Sequence, residues 1–283
     1  PGDLAVQWSR TRRVRVGACD LRYREAGAGP TLVLVHGLGL SADFWWRNGP
    51  ALAAAGFRVL APDLPGFGRT DGPVGLGVCQ QAESLAAWAD ALALGPAAYV
   101  GHSVSCQVNL EMAAARPELV TALVLAAPTG DPRGFRHARQ AWGFFNDVYR
   151  EPLALFPWVV TPYLYAGFVR WLRTWWLAGS HDAMAAAEKV CVPGLIVLGR
   201  RDPVVHRSFA DALARTLPRG RVVVLARAAH AVVFDAAEDF NREVAAFLRE
   251  VLPEAGAGEE ATPAASPAGG EAAAGEAEVR PGG

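Results

Sequence analysis

Short apolar runs alternate with amphipathic stretches along most of the chain. Thr31 to Val35, Arg58 to Asp63, Ala97 to Gly101, Val120 to Ala127 and Gly194 to Gly199 each hold consecutive aliphatic or β-branched residues. Such runs mark strands covered on both faces. Arg221 to Leu225 continues the series, and two further strands are predicted at Ala5 to Val16 and Ala18 to Glu25. The second alternates in Asp20-Leu-Arg-Tyr-Arg24, as a strand with one solvated face does. Between the runs, Asp43 to Ala55, Val78 to Leu94, Val104 to Arg116, Ser208 to Leu217 and Phe234 to Val251 have helical character. Gly95-Pro96 and Arg116-Pro117 supply stops. Strands and helices alternating in this way predict an α/β fold, with a mostly parallel, doubly wound sheet and helices on both faces.

The alternation lapses after Pro128 and resumes at Gly194. The expected organisation is a core of residues 1–130 and 188–252 with a helical cap, 131–187, inserted after the sixth core strand. Ligands of open α/β folds bind at the carboxyl edge of the sheet, which such a cap would cover. Pro152 to Val169 has no charge and approaches a membrane-spanning length. However, Pro152, Pro157 and Pro162 each remove a backbone donor, so short helices over a buried face are expected instead. Phe168, Trp171, Leu172, Trp175 and Trp176 share one helix face at i, i+3, i+4, i+7 and i+8. Together with Trp142 they offer an apolar lining, and Trp142, Trp171 and Trp175 are the candidate substrate contacts. Ordinary packing, or transient contact with lipid, are the other roles for these rings.

Composition changes this picture at one end only. Pro253 to Gly283 is Pro, Gly, Ala and Glu, with six Glu against one Arg, so it is expected to be a disordered acidic tail. It carries about −5 of a net charge of −1, leaving the rest near +4. That balance gives no general pull toward nucleic acid. The four cysteines form no CxxC, which fits reduced thiols and a cytoplasmic location. No His/Asp/Glu group has metal-site spacing along the sequence, so no metal and no cofactor are expected.

The chemistry starts at Gly101-His-Ser103-Val-Ser105, where an apolar run meets a helix. A serine at such an apex is a nucleophile elbow. It needs a base to take its proton. His230, just past the last strand, is the candidate base, with Asp202 on its other nitrogen as the acid; Asp131 is the alternative acid position. His36-Gly-Leu-Gly39 follows the Thr31 run, and the amides of Leu38 and Val104 are the candidate oxyanion donors, each worth about 10² to 10³ in rate. His36 and His102 are read as loop braces, and His137, His181 and His206 as surface residues without a role. Ser105 replaces the usual glycine two positions after the nucleophile, and the sequence leaves open whether it only fits or also reaches the site.

With His36-Gly-Leu-Gly39, Asp63-Leu-Pro-Gly-Phe-Gly68, Gly101-His-Ser-Val-Ser105, Gly199-Arg-Arg-Asp202 and Ala229-His230, the chain resembles the α/β-hydrolase superfamily from about Ala5 to Val251. The order Ser, Asp, His is that family's order. The resemblance implies nucleophile Ser103, acid Asp202, base His230 and an oxyanion hole at Leu38 and Val104. Its dehalogenase and epoxide-hydrolase branches place aspartate where Ser103 stands.

The expected activity is hydrolysis of a small apolar ester, thioester or lactone through an acyl-enzyme. Carbon–carbon bond hydrolysis and acyl transfer are the alternatives on the same triad. A slow-turnover ligand receptor, which Gly-His-Ser-Val-Ser also resembles, is the alternative from another class. The expected partner is a small apolar substrate, with no nucleic acid and no stable membrane insertion.

Overall fold

A computed structural model describes residues 8–131 and 156–252. The expected tail and Trp142 lie outside them, as does much of the expected cap. Eight strands form one sheet: β1 (Arg10–Val16), β2 (Cys19–Ala26), β3 (Thr31–Val35), β4 (Arg58–Pro62), β5 (Ala97–His102), β6 (Val120–Ala126), β7 (Gly194–Gly199) and β8 (Arg221–Leu225), in the order β1-β2-β4-β3-β5-β6-β7-β8. β2 pairs antiparallel with β1 and β4, and all the pairs from β4 through β8 are parallel. The mostly parallel sheet read from the apolar runs is therefore the one observed.

The continuous runs are apolar because both faces of these strands are covered. In β3, Val33 and Val35 join one core layer while Leu32 and Leu34 join the other, the period-2 consequence of a pleated backbone. The helices α1 (Gly49–Ala54), α2 (Val78–Ala91) and α3 (Val104–Ala115) follow β3, β4 and β5. Trp88 and Leu85 of α2 lie in the Val33 layer, and Leu52 of α1 lies in the Leu32 layer. Each fully buried aliphatic side chain of these layers contributes about 1.5–3 kcal/mol.

After β6 come α4 (Phe156–Ala166), α5 (Phe168–Gly179) and α6 (Ala183–Ala187); α7 (Arg207–Thr216) follows β7, and α8 (Val232–Asp235) and α9 (Ala237–Val251) follow β8. Pro162 lies inside α4, so this helix runs through a proline that was expected to end one. Leu164 and Tyr165 are exposed, not set over a buried face. Among the described residues no helix is long and apolar enough to cross a membrane.

Two helices predicted whole are divided. Asp43 to Ala55 becomes a 3-10 turn, Ala42–Arg47, and α1, with Trp45 off helical geometry and a proline in the first turn of α1. Pro50 has no N–H to continue the ladder. The closing helix breaks at Ala236, φ −129° and ψ 48°, and Asp235 beside the break accepts the Ala229 N–H at 2.8 Å. The break thus frees a carboxylate to hold the loop that carries His230.

Candidate active site

β5 ends in a backbone turn that glycine makes possible. A Cβ on Gly101 would lie 2.8 Å from the Ser105 carbonyl and 2.9 Å from the Cys106 amide, so only hydrogen lets α3 start against the strand. Ser103 sits at φ 58° and ψ −118°, a left-handed conformation that L-residues adopt at a cost of about 1–3 kcal/mol. Its amide donates to the Ala126 carbonyl at 2.9 Å, which ties the strained residue to β6.

Ser105 answers the question its sequence position raised. It accepts the His102 N–H at 2.7 Å, and its hydroxyl lies 2.7 Å from the Val35 carbonyl and 2.9 Å from the His102 carbonyl. Its one proton is therefore directed at backbone. The hydroxyl that replaces a hydrogen at this position ties the ends of β3 and β5 together.

The His230 Nε2 lies 3.0 Å from Ser103 Oγ, and its Nδ1 lies 3.0 Å from Asp202 Oδ2. A carboxylate accepts, so Nδ1 carries the proton and Nε2 presents its lone pair to the serine. Asp202 Oδ1 accepts the Val204 and Val205 amides at 2.7 and 3.1 Å. Burial works against its ionisation, yet the charge and hydrogen bond of His230 and the two amides hold its carboxyl below the usual aspartate value. Of the two acid positions read from the sequence, Asp202 is the one hydrogen-bonded to this ring nitrogen. A Cβ on Gly199 would lie 2.1 Å from the Ala229 carbonyl, so the end of β7 and the His230 loop meet through a glycine.

His36 and His102 are buried beside this chain. His102 Nε2 lies 3.0 Å from the His230 carbonyl, to which it donates. Burial first, then the neighbouring His230, pushes its pKa down to about 3, so the ring stays neutral and braces the loop. Its Nδ1 lies where a Cβ on Gly37 would come within 2.9 Å, which explains the glycine. His36 accepts the Leu64 N–H on Nε2 at 3.0 Å and donates from Nδ1 to the Gly37 carbonyl at 2.8 Å. Burial lowers its pKa as well. It joins the Leu38 loop to the Leu64 loop.

Arg22 and Asp63 are a pair the sequence did not single out. Both are buried and meet at 3.0 Å. Asp63 also accepts the Ala42 amide at 2.6 Å and the Arg69 amide at 2.8 Å, while Arg22 reaches Asp43 at 2.7 Å. The pair anchors both loops that border the site. Arg22 alternates with Leu21 and Tyr23, which marked it as a solvated strand residue; the only sequence signal against that reading was the glycine-rich run after Asp63.

A narrow cleft, without room for a water molecule, lies beside Val104, bounded by Leu38, Leu64, Phe67, Gln81, Ser105 and Thr174 together with His36 and Gly37. Leu38 and Val104, whose amides are the candidate oxyanion donors, thus face one space. Thr174 comes from α5. Trp171 and Trp175 on the same helix stack at 6.1 Å with 5° between planes. Trp171 also packs on the Leu38 loop, within 3.0 Å of the position a Cβ of Gly39 would take. The expected single apolar face of α5 is divided, because Trp175 is buried and Trp171 half-buried whereas Phe168, Leu172 and Trp176 are exposed. Thr174, a polar residue between the inward rings, falls on the buried side. His206 is exposed as expected, but His181 is not, with only 10% of its side chain accessible.

A family model described as alpha/beta hydrolase fold matches residues 30–178. The dihydrolipoyllysine-residue acetyltransferase component of an acetoin cleaving system from Pseudomonas putida is 31% identical over 271 residues, covering 87% of this chain and 71% of that one. A 2-hydroxy-6-oxononadienedioate/2-hydroxy-6-oxononatrienedioate hydrolase from Burkholderia vietnamiensis is 30% identical, covering 81% of this chain and 91% of its own. Among solved structures, a serine hydrolase involved in carbazole degradation superposes with a TM-score of 0.73 at 25% identity, covering 85% and 99% of the two chains.

Proposed function

Because the chain belongs to the α/β-hydrolase family, we propose that it is a serine hydrolase that cleaves an uncharged acyl compound, an ester, thioester or lactone, through an acyl-enzyme on Ser103. One observation carries this reading: the Ser103–His230–Asp202 hydrogen-bond chain, at 3.0 Å and 3.0 Å.

In the proposed reaction Ser103 Oγ attacks the carbonyl carbon as its proton passes to His230 Nε2. Asp202 stays ionised and stabilises the imidazolium that forms. The carbonyl oxygen becomes an oxyanion against the Leu38 and Val104 amides. Collapse expels the alcohol, thiol or enol, which leaves with the proton from His230. Water then attacks the acyl-enzyme, giving its proton to the same nitrogen, and Ser103 is released with the acid product. Leu38, Leu64, Phe67 and Val104 border the space beside the candidate oxyanion donors, which supports an uncharged, apolar acyl group. All four cysteines are free thiols, in keeping with a cytoplasmic site of action.

The second reading is hydrolysis of a carbon–carbon bond in a vinylogous diketone. The Burkholderia relative, a hydrolase of that substrate class by name, supports it. The acetyltransferase relative supports a variant in which a nucleophile other than water takes the acyl group.

A fluorophosphonate is expected to label Ser103, and an activated ester to give a burst of alcohol before steady turnover. Ser103→Ala should lose both, with kcat lower by about 10⁴ or more. Full activity in that variant would overturn the mechanism. A panel of neutral acyl esters and vinylogous diketones separates the two readings by kcat/KM.

A further inference from the structure

Away from Ser103, three side chains from three elements converge. Cys79 lies in the first turn of α2, Glu111 on α3, and His181 between α5 and α6. One ligand-type atom from each lies within 4.8 Å of the other two. Gln107 and Glu111 are spaced by four on α3, so they share one side of that helix.

The hydrogen bonds of His181 determine what the cluster lacks. Gln107 Nε2 donates to Thr129 Oγ1 at 2.9 Å, which turns its Oε1 toward His181 Nδ1 at 3.0 Å. An amide oxygen only accepts, so Nδ1 is the protonated nitrogen. That leaves the Nε2 lone pair facing Glu111 Oε1 at 2.6 Å. With Nδ1 as the donor, the Nε2 lone pair and the Glu111 carboxylate together offer two ligand atoms to one cation. A second proton would serve, and so would a metal ion. The Gln107 amide oxygen on the far nitrogen fixes the tautomer and the ring plane, as carboxylates and backbone carbonyls do behind metal-bound histidines.

We propose that Cys79, Glu111 and His181 bind one zinc ion, with water as the fourth ligand. Thiolate, imidazole and carboxylate together suit zinc among the common divalent ions. Zinc bonds of about 2.0–2.3 Å in a tetrahedron set ligand atoms about 3.5 Å apart. The Nε2–Oε1 pair therefore opens slightly and the thiol moves in, which the exposed Cys79 side chain is free to do. The thiol proton leaves to solvent on binding, so a thiolate, a carboxylate and a neutral imidazole balance the dication. The ion would tie α2 and α3 to the segment that ends α5, and so fix the helix that carries Trp171, Thr174 and Trp175.

The test is calorimetric titration of the full chain, stripped with chelator, with zinc chloride, alongside thermal unfolding. The expected result is one zinc per chain and a raised Tm. Cys79→Ser should weaken binding by about tenfold or more and remove most of the Tm shift. Because this side chain is exposed, the variant keeps the fold. His181→Ala should abolish binding, and Cys191→Ser, at an exposed cysteine elsewhere, should bind as the parent does. Absence of binding to the parent chain would overturn the proposal. Equal affinity in Cys79→Ser, or loss in Cys191→Ser, would overturn it as well.

Discussion

On the sheet side of the cleft, side chains reach out from strand ends and are held by backbone. Asp202 rests on two amides, His36 and His102 each bind main-chain atoms, Ser105 ties β3 to β5, and Asp63 accepts amides from two loops. On the helical side, α5 meets the site mainly through rings: Trp171 stacks on Trp175, and Tyr163 packs at 6.1 Å from Trp171. Arg170 ties the helix to the Gly66 and Gly72 carbonyls at 2.8 and 2.9 Å, and Thr174 is buried with its hydroxyl unpartnered. Directional bonds to backbone fix a geometry to tenths of an ångström, as proton transfer requires. Ring packing fixes a volume. On the proposed function, the sheet side serves the reaction and the rings of α5 shape what enters.

The largest effect that separates the two sides is expected at Asp202. Asp202→Asn keeps the size of the side chain but can present N–H to His230, turning the ring to the wrong tautomer. kcat should fall by about 10⁴, while KM for an activated ester changes little. A fall in affinity with kcat retained would break the assignment of chemistry to the sheet side.

A smaller effect follows from the two buried histidines. Both have pKa values lowered by burial, His102 to about 3, against about 6.5 in an unfolded chain. The unfolded state therefore binds more protons below pH 6.5. The stability from keeping these rings neutral is complete above that pH and is lost as pH falls toward 3. Each ring contributes a slope of up to about 1.4 kcal/mol per pH unit. Urea midpoints should drop between neutral pH and about pH 5, and His102→Gln, which retains a donor for the His230 carbonyl, should flatten the drop. A flat profile in the parent chain would contradict neutral, buried braces.

The smallest effect is expected from Thr174→Val on the helical side. Removing a buried, unbonded hydroxyl should stabilise the fold by about 1 kcal/mol. For substrates with a polar atom that reaches it, KM should rise by about tenfold, one hydrogen bond's worth, with kcat for simple esters unchanged. An unchanged KM across a substrate panel would remove the helix from recognition and leave it a packing element.

Much of the sheet side was legible because its signals are local. Six apolar runs gave parallel strands, and Ser103, Asp202 and His230 each follow one, so their convergence at one edge needed only the rule that parallel strands end together. Gly37, Gly101 and Gly199 stand in the sequence motifs, but the nearest atoms that a Cβ on Gly37 or Gly199 would meet lie on distant segments. The less legible features depend on distant contacts. The buried Arg22 reads as the wet half of an alternating strand, since only Asp43 and Asp63, brought in from other loops, neutralise it. The division of α5 into buried and exposed aromatics was equally hidden, because helical periodicity groups the rings but does not say which of them finds a neighbour. His181 passed for a surface residue because Cys79, Glu111 and Gln107 are remote from it in sequence.

By itself the sequence determined the α/β order and the turn that lifts Ser103, properties of residues within a few positions of one another, and the chain order of Ser103, Asp202 and His230, each read from the strand it follows. Only the tertiary structure decided that Ser105 turns its hydroxyl to the backbone of β3, that Thr174 faces the cleft between two inward tryptophans, and that Cys79, Glu111 and His181 meet. Each of those depends on which atoms approach across the fold, and a linear pattern carries hydrophobicity and spacing but not distance.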